Sequence, residues 1–270
     1  MKKNHLQKIL VIGGLGFIGT NFINKLLKSE KFNIFNLDKI STPSNKELIY
    51  HPSKNYIFKK IDITNQKKLS EIILNFKPNL VINFAAETHV DNSIANPESF
   101  IKTNIVGTYN LLFCLKFFLE KYSNYQKNFR YIQISTDEVF GDLGRDKSNR
   151  SFSEKSMYNP SSPYSASKAS ADHLVNSWIR TYDFPAIITN ISNNYGPYQF
   201  EEKFIPLCIK NLLSGKKIPI YGDGKQKRDW IYVEDNVEAL IKILKNGKIS
   251  SRYLIGTNSS ITNIKLAKCI

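Results

Sequence analysis

Ile9-Leu10-Val11-Ile12-Gly13-Gly14-Leu15-Gly16-Phe17-Ile18-Gly19 sets a short apolar run directly against a glycine-rich turn. The apolar run reads as a buried strand, and residues 17–29 read as a helix. Between them, Gly14, Gly16 and Gly19 match the spacing G-x-G-x-x-G. Such glycines permit a tight turn and let the backbone approach a pyrophosphate at the helix N-terminus. The spacing alone is common; a strand before it and a helix after it make it informative. Asp38 ends the second expected strand, where its carboxylate can accept hydrogen bonds from the adenosine ribose hydroxyls. It would repel a 2′-phosphate, so NAD is favoured over NADP, the competing reading being an Asp38 that only opens a turn. Asp62-Ile63 follows the third expected strand, and there a contact to the adenine amino group and a plain turn stay equally open.

The same alternation continues outward. Residues 8–12, 32–37, 56–60, 80–84, 130–135 and 186–191 read as strands, and residues 17–29, 70–76, 100–122 and 163–182 as helices. That pattern predicts a doubly wound α/β fold, a Rossmann-type parallel sheet covered on both faces. From residue 193 the rhythm changes. Residues 193–200 are loop-like, 203–214 helical, and Tyr221-Gly222-Asp223-Gly224 makes a tight turn. A strand at 230–233, a helix at 237–244 and a strand at 252–255 follow. We therefore expect an NAD-binding domain over residues 1–192. A smaller substrate-binding region over 193–270 should return some elements to the main domain. A last helix begins at Ile264 behind Thr262 or Asn263 and stops within two turns, too short to stand without packing, so the C-terminus is expected to be cut off.

Composition excludes several classes. The net charge of +15 invites a nucleic-acid reading, but all except six of the 38 basic residues are lysines, scattered along the chain with no basic run of five. Lysine, asparagine and isoleucine are heavily used together, which points to compositional bias rather than a binding patch. Cys114, Cys208 and Cys269 lack metal-ligand spacing, and three unpaired thiols fit a reducing cytosol. The basic start and its short apolar run break into glycines without a cleavage site, and no run reaches the length of a membrane span. The expectation is a cytoplasmic protein with no metal, nucleic-acid or membrane partner.

The candidate chemistry lies at Ser135-Thr136-Asp137-Glu138-Val139-Phe140-Gly141 and Tyr164-Ser165-Ala166-Ser167-Lys168. Tyr164 and Lys168 are one helical turn apart and share a face. An ammonium held there is expected to lower the phenol pKa and make Tyr164 a usable base. Two neighbouring carboxyls resist double ionisation, which suits one acid and one base. Taken alone, Asp137-Glu138 reads first as a solvated loop after a strand. In a regular strand the two side chains would point to opposite faces, so for both to reach one substrate the backbone must leave that geometry here.

With these residues, and with Ala85-Ala86-Glu87-Thr88-His89-Val90-Asp91, Thr103-Asn104-Ile105-Val106-Gly107-Thr108, Pro160-Ser161-Ser162-Pro163, Ser192-Asn193-Asn194-Tyr195-Gly196-Pro197 and Arg228-Asp229-Trp230, the chain resembles the extended short-chain dehydrogenase/reductases. Among them it is most similar to the dTDP-glucose 4,6-dehydratase family. Tyr-x-x-x-Lys marks only the superfamily; the Thr-Asp-Glu triplet is more specific, because sister epimerases and decarboxylases usually lack the adjacent acid pair. The resemblance implies an NAD-dependent dehydration of dTDP-glucose to its 4-keto-6-deoxy product. It gives Tyr164 the C4 hydroxyl proton, Lys168 the tyrosine and the nicotinamide ribose, and Thr136 the C4 oxygen. It makes Glu138 the base at C5 and a protonated Asp137 the acid at the C6 hydroxyl.

The resemblance further implies a cofactor set of Gly13, Gly16, Phe17, Ile18, Gly19, Asp38, Lys39, Asp62, Ile63, Phe84, Ala85, Ala86, Glu87, Thr88 and Thr103, with Tyr164 and Lys168. The nucleotide sugar would fall to Thr88, Thr136, Asn193, Glu202, Lys203, Arg228 and Asn263, although Lys203 reads as evenly as a surface charge. His89 reads as a packing or hydrogen-bonding residue. Leu15 replaces the family's usual small residue and should turn into the helix–sheet interface. Relatives pair the helices matching 100–122 and 163–182, which implies a homodimer, and they continue for several tens of residues. Alternatives are another nucleotide-sugar dehydratase, epimerase or decarboxylase, or a shortened inactive NAD-binding protein.

Overall fold

The structure, a computed structural model, describes residues 6–41, 44–141, 151–220 and 222–270. Its elements run β1 (Gln7–Ile12), α1 (Phe17–Leu27), β2 (Phe32–Asp38), β3 (Tyr56–Lys60), α2 (Gln66–Phe76), β4 (Leu80–Asn83), α3 (Val90–Ala95), α4 (Pro97–Phe100) and α5 (Gly107–Lys121). They continue as β5 (Arg130–Thr136), α6 (Pro163–Tyr182), β6 (Ala186–Ile191), β7 (Asn193–Tyr195), α7 (Phe204–Leu213), β8 (Lys227–Tyr232), α8 (Val233–Asn246), β9 (Arg252–Ile255), β10 (Ser260–Thr262) and α9 (Asn263–Cys269).

Seven parallel strands form one sheet in the order β3-β2-β1-β4-β5-β6-β9. The inner strands β4 and β6 are buried at every residue, because helices cover both faces. On one face Ile9, Val11, Phe22 and Ile34 pack with Val233, Val237 and Leu240 of α8. On the other, Leu10, Leu69, Leu112, Phe118 and Val175 bring in α2, α5 and α6. Leu15 is fully buried in the first of these clusters, as its place in the helix–sheet interface requires. Strands β7, β8 and β10 make a separate three-stranded sheet, whereas β9 returns to the main one.

Strand order reverses between β1 and β4, and a crevice at such a switch point is where open α/β sheets bind ligands. The two loops there touch through backbone. A Cβ on Gly13, whose φ is +75°, would lie 2.5 Å from Ala85 N.

Several local expectations are corrected. Asn193–Tyr195, expected in a loop, is a strand parallel to β8; three residues are too few for a period to show. The helix expected over 100–122 opens with a π-helical stretch, Ile101–Val106, before α5 begins. Strand β8 starts at Lys227 and ends at Tyr232, so Val233 opens a helix instead of ending a strand. Helix α2 starts at Gln66 because Asn65 Oδ1 caps Lys68 N at 3.1 Å. Tyr221, first residue of an expected turn, lies outside the described residues, while Gly222 and Gly224 both have positive φ.

Gly13→Ala is expected to cost about 1–3 kcal/mol in backbone strain, and the contact with Ala85 adds to it. Urea unfolding against the unaltered chain measures the loss; equal stability would show that the two loops are free to separate.

Candidate active site

The glycines of the first turn divide their work. A Cβ on Gly14 would strike Asn36 Oδ1 at 2.2 Å, and one on Gly19 would strike Gly14 Cα at 2.7 Å, so packing excludes side chains at both. A Cβ on Gly16 would meet only Gly13 O, at 3.4 Å. Packing therefore leaves Gly16 free, and the space beside it opens at the N-terminus of α1. That terminus has no side-chain cap and no acidic residue in its first turn, which suits a pyrophosphate. Phe17 and Ile18 form that first turn. Asp38, buried at the end of β2, accepts Leu15 N at 3.0 Å and Ile40 N at 2.8 Å. Burial raises its pKa against those two donors. Lys39 pairs with Glu87 and approaches Thr103 Oγ1 at 3.5 Å, so β2 and the loop after β4 form one rim. Asp62 closes a turn on Thr64, with Thr64 N at 2.8 Å, and Ile63 is buried against Gly107. This donor set fits a dinucleotide whose ribose is not phosphorylated.

The second half of the site begins where β5 ends. Thr136 Oγ1 accepts Glu138 N at 3.2 Å and caps a 3₁₀ turn, Asp137–Phe140. The backbone thus leaves strand geometry at the acid pair. Gly141 closes the turn with φ +82°, where a Cβ would lie 2.3 Å from Asn159 O. The two carboxyls feel different surroundings. Asp137 is pushed up to about 7, first by burial and then by the charge of Glu138, with Thr136 and Arg228 opposing. Glu138 is raised too, by burial, and the cations Arg228 and Lys203 offset that rise only in part. Both carboxyls are thus raised, but Glu138 has two cations opposing the rise and Asp137 carries in addition the charge of its neighbour.

Residues 10–269 match the family model described as GDP-mannose 4,6 dehydratase. The dTDP-glucose 4,6-dehydratase of Neisseria meningitidis serogroup B is 45% identical over 98% of this chain and 75% of its own. Escherichia coli K12 dTDP-glucose 4,6-dehydratase 1 is 46% identical over 98% of this chain and 76% of its own. The chain belongs to the dTDP-glucose 4,6-dehydratase family. A solved structure of a Streptomyces venezuelae dTDP-glucose 4,6-dehydratase, with NAD and TYD bound, superposes with a TM-score of 0.89 at 34% identity, covering 97% of this chain and 80% of that one.

In this dehydratase-family chain four of the five expected catalytic side chains, Thr136, Asp137, Glu138 and Tyr164, come together. Tyr164 is buried, faces Thr136, Asp137 and Glu138, and packs edge-on against Phe100 at 6.3 Å. One expectation fails. The Tyr164 phenol is raised, by burial first and then by Glu138 and Asp137. Lys168 does not offset this, because its ammonium is turned to β5, donating to Ile134 O at 2.6 Å, and burial lowers it to about 8. Lys203 is no plain surface charge: burial lowers its pKa while Glu202, Glu138 and Asp91 raise it. Glu202 itself stands 3.8 Å from His89. Arg228 is exposed beside the acid pair, and Asn193 lies in β7 opposite Trp230. Asn263 opens α9, its N–H on Gln226 O at 3.0 Å, and Thr88 is exposed.

Sequence reasoning missed the clamp behind these groups. Asn104 accepts Glu87 N at 2.8 Å and donates to Glu87 O at 3.1 Å and to Ser167 Oγ at 2.8 Å. Ser167 Oγ donates to Tyr164 O at 2.7 Å, so one side chain in the π-helical stretch ties the Phe84–Ala85–Ala86–Glu87 loop to α6. Asn83 supports that loop from below, accepting Ala85 N at 3.2 Å. The motif Thr103-Asn104-Ile105-Val106-Gly107-Thr108 marked Asn104, but only the structure shows what it holds together.

Asp137 also makes stability depend on pH. Folding raises its pKa from 3.8 to about 7, so the folded chain holds this proton more tightly and stability falls as pH rises through that interval. Asp137→Asn removes the titration. Thermal melts should find this variant gaining on the unaltered chain between pH 4 and 7; a constant difference would contradict the assignment.

Proposed function

We propose that the chain dehydrates dTDP-glucose to dTDP-4-keto-6-deoxyglucose. The observation carrying this reading is the unequal setting of Asp137 and Glu138 beside Tyr164. An epimerase needs only oxidation and reduction at one carbon, whereas elimination of water needs a separate acid and base. NAD, when bound in the crevice, supplies the acceptor for the C4 hydride and the donor that returns it to C6.

The residues do the rest. Tyr164 takes the C4 hydroxyl proton, and Thr136 donates to the C4 oxygen. A proton held on Asp137 discharges one of the two carboxylates that hold the phenol neutral, which helps Tyr164 ionise. Once C4 is a ketone, the C5 proton is α to a carbonyl and Glu138, whose ionised form Arg228 and Lys203 favour against burial, removes it. The C6–O bond breaks as Asp137 gives its proton, and water leaves from a C5=C6 enone. After the hydride reaches C6, Glu138 returns its proton to C5. The proton left on Tyr164 makes good the one that Asp137 gave, so the side chains are reset and only water is lost.

Around this centre, Gly13, Gly16, Phe17, Ile18 and Gly19 take the cofactor pyrophosphate, and Asp38 the adenosine ribose. Lys39, Asp62 and Ile63 complete the adenosine side. Phe84, Ala85, Ala86, Glu87, Thr88 and Thr103 line the nicotinamide side with Lys168. Arg228 and Lys203 suit the sugar diphosphate, with Thr88, Asn193, Glu202 and Asn263 completing that wall. In this reading residues 1–192 carry the cofactor and residues 193–270 the sugar nucleotide. Three free thiols support a cytoplasmic location.

We also propose a homodimer. Val106, at the end of the π-helical stretch, and Tyr109, Phe113 and Phe117 of α5 are exposed at spacings of three and four residues, an apolar stripe that Tyr182 of α6 extends. Phe113→Glu should give a folded monomer by light scattering where the unaltered chain is dimeric; a monomeric unaltered chain would refute the assignment.

The activity test is product formation from dTDP-glucose carrying deuterium at C4, with the label recovered at C6. Glu138→Gln should lower kcat by about 10²–10⁴ while cofactor binding persists. No 4-keto-6-deoxy product from chain with NAD bound would overturn the reading, and equal turnover of UDP-glucose would remove the dTDP preference.

A further inference from the structure

The reaction outlined above gives no task to a carboxylate buried directly beneath it. Asp172 is fully buried on α6, one helical turn beyond Lys168. Its Oδ2 accepts Ser135 Oγ at 2.7 Å, Tyr158 OH at 3.0 Å and Asn190 Nδ2 at 3.3 Å. All three partners are donors, as an ionised carboxylate requires, and with Lys168 they oppose the burial that raises the Asp172 pKa. Oδ1 is buried without a hydrogen-bond partner among the described residues. Tyr158 OH in turn accepts Arg252 Nη2 at 2.6 Å, and the guanidinium lies 4.6 Å from the Tyr158 ring centre. Donation therefore runs one way, from Arg252 on the outermost strand through Tyr158 to Asp172.

Lys168 needs such a partner. It is buried, and among the described residues its ammonium donates to the neutral Ile134 carbonyl, which cannot balance its charge. The other charged or titratable groups around it are committed elsewhere. Asp137 and Glu138, on the turn after β5, act on Tyr164, which Asp172 also raises but less than either. Tyr158 and Arg252 are engaged with Asp172 and each other.

We propose that Asp172 is a positioning residue for Lys168. Held ionised by Ser135, Asn190 and the Arg252–Tyr158 relay, it keeps the Lys168 ammonium charged inside the core and ties β5 to α6 where Thr136 meets Tyr164. This rests on the part given to Lys168 under Proposed function. Asp172 opposes the effect of burial on Lys168 in the expected direction.

Lysine labelled with ¹³C at Cε reads the group directly, its Lys168 resonance assigned by its loss in Lys168→Arg. The unaltered chain should titrate at about 8. Asp172→Asn keeps the shape and removes the charge, and should lower that midpoint by at least about one pH unit. The alkaline limb of kcat should move down with it, and Asp172→Glu should restore both. Tyr158→Phe, which deletes one donor, should move the midpoint the same way by less. An unmoved midpoint in Asp172→Asn overturns the proposal; if that variant does not fold, an unmoved midpoint in Tyr158→Phe does so. Shifted midpoints in a chain without turnover would leave this inference standing and refute the reaction.

Discussion

Charge removed from water must be matched by opposite charge or by donors and acceptors, or the group gives it up. At the C-terminal end of β5 four ionisable groups meet that constraint in four ways. Asp137 keeps a proton. Glu138, raised by burial, is partly offset by Arg228 and Lys203. Asp172 collects three hydrogen-bond donors, and Lys168 is set against Asp172 and a carbonyl. The chemistry follows from this partition, since an elimination needs one carboxyl of each protonation state within reach of one sugar.

The sheet is what brings these groups to the cofactor. Parallel strands deliver all their C-terminal ends to one edge, and reversal of strand order between β1 and β4 opens the crevice there. Backbone contact of Gly13 with Ala85 then fixes the loops on either side. Asn104 carries the same rigidity across to α6 through Glu87 and Ser167. A shift of the glycine turn would therefore be felt at Tyr164, two loops and a helix away.

The fold was legible in the sequence because its signals are local. The glycine spacing, the strand end at Asp38 and the boundaries of β3, α6 and β6 depend on neighbouring residues alone, and the structure keeps them. What failed depends on depth. Tyr164 and Lys168 do share a helix face, but spacing does not tell how much water each retains. Burial reverses the expected effect on the phenol and turns the ammonium to a backbone carbonyl. Asp172 repeats the four-residue spacing one turn further on, yet its partners come from β5, β6 and the loop before α6, which no period reveals. Strand β7 is invisible for a similar reason: its pairing with β8 is long-range and only three residues long.

Adjacent acid and base residues are themselves a geometric problem that the turn resolves. Successive side chains of a strand face opposite sides of the sheet, so an Asp-Glu pair within β5 would serve two different compartments. Ending the strand at Thr136 and winding Asp137–Phe140 into a 3₁₀ turn lets both carboxyls feel the same phenol and the same Arg228. That turn is held from behind by Phe140 stacked on Tyr158 at 5.6 Å, with Arg252 5.8 Å from the Phe140 ring. Tyr158 is thus shared by the acid pair and by Asp172. The same ring supports the turn that carries Asp137 and Glu138 on one side and the carboxylate beside Lys168 on the other, which ties the groups proposed for elimination and for oxidation to one packed unit.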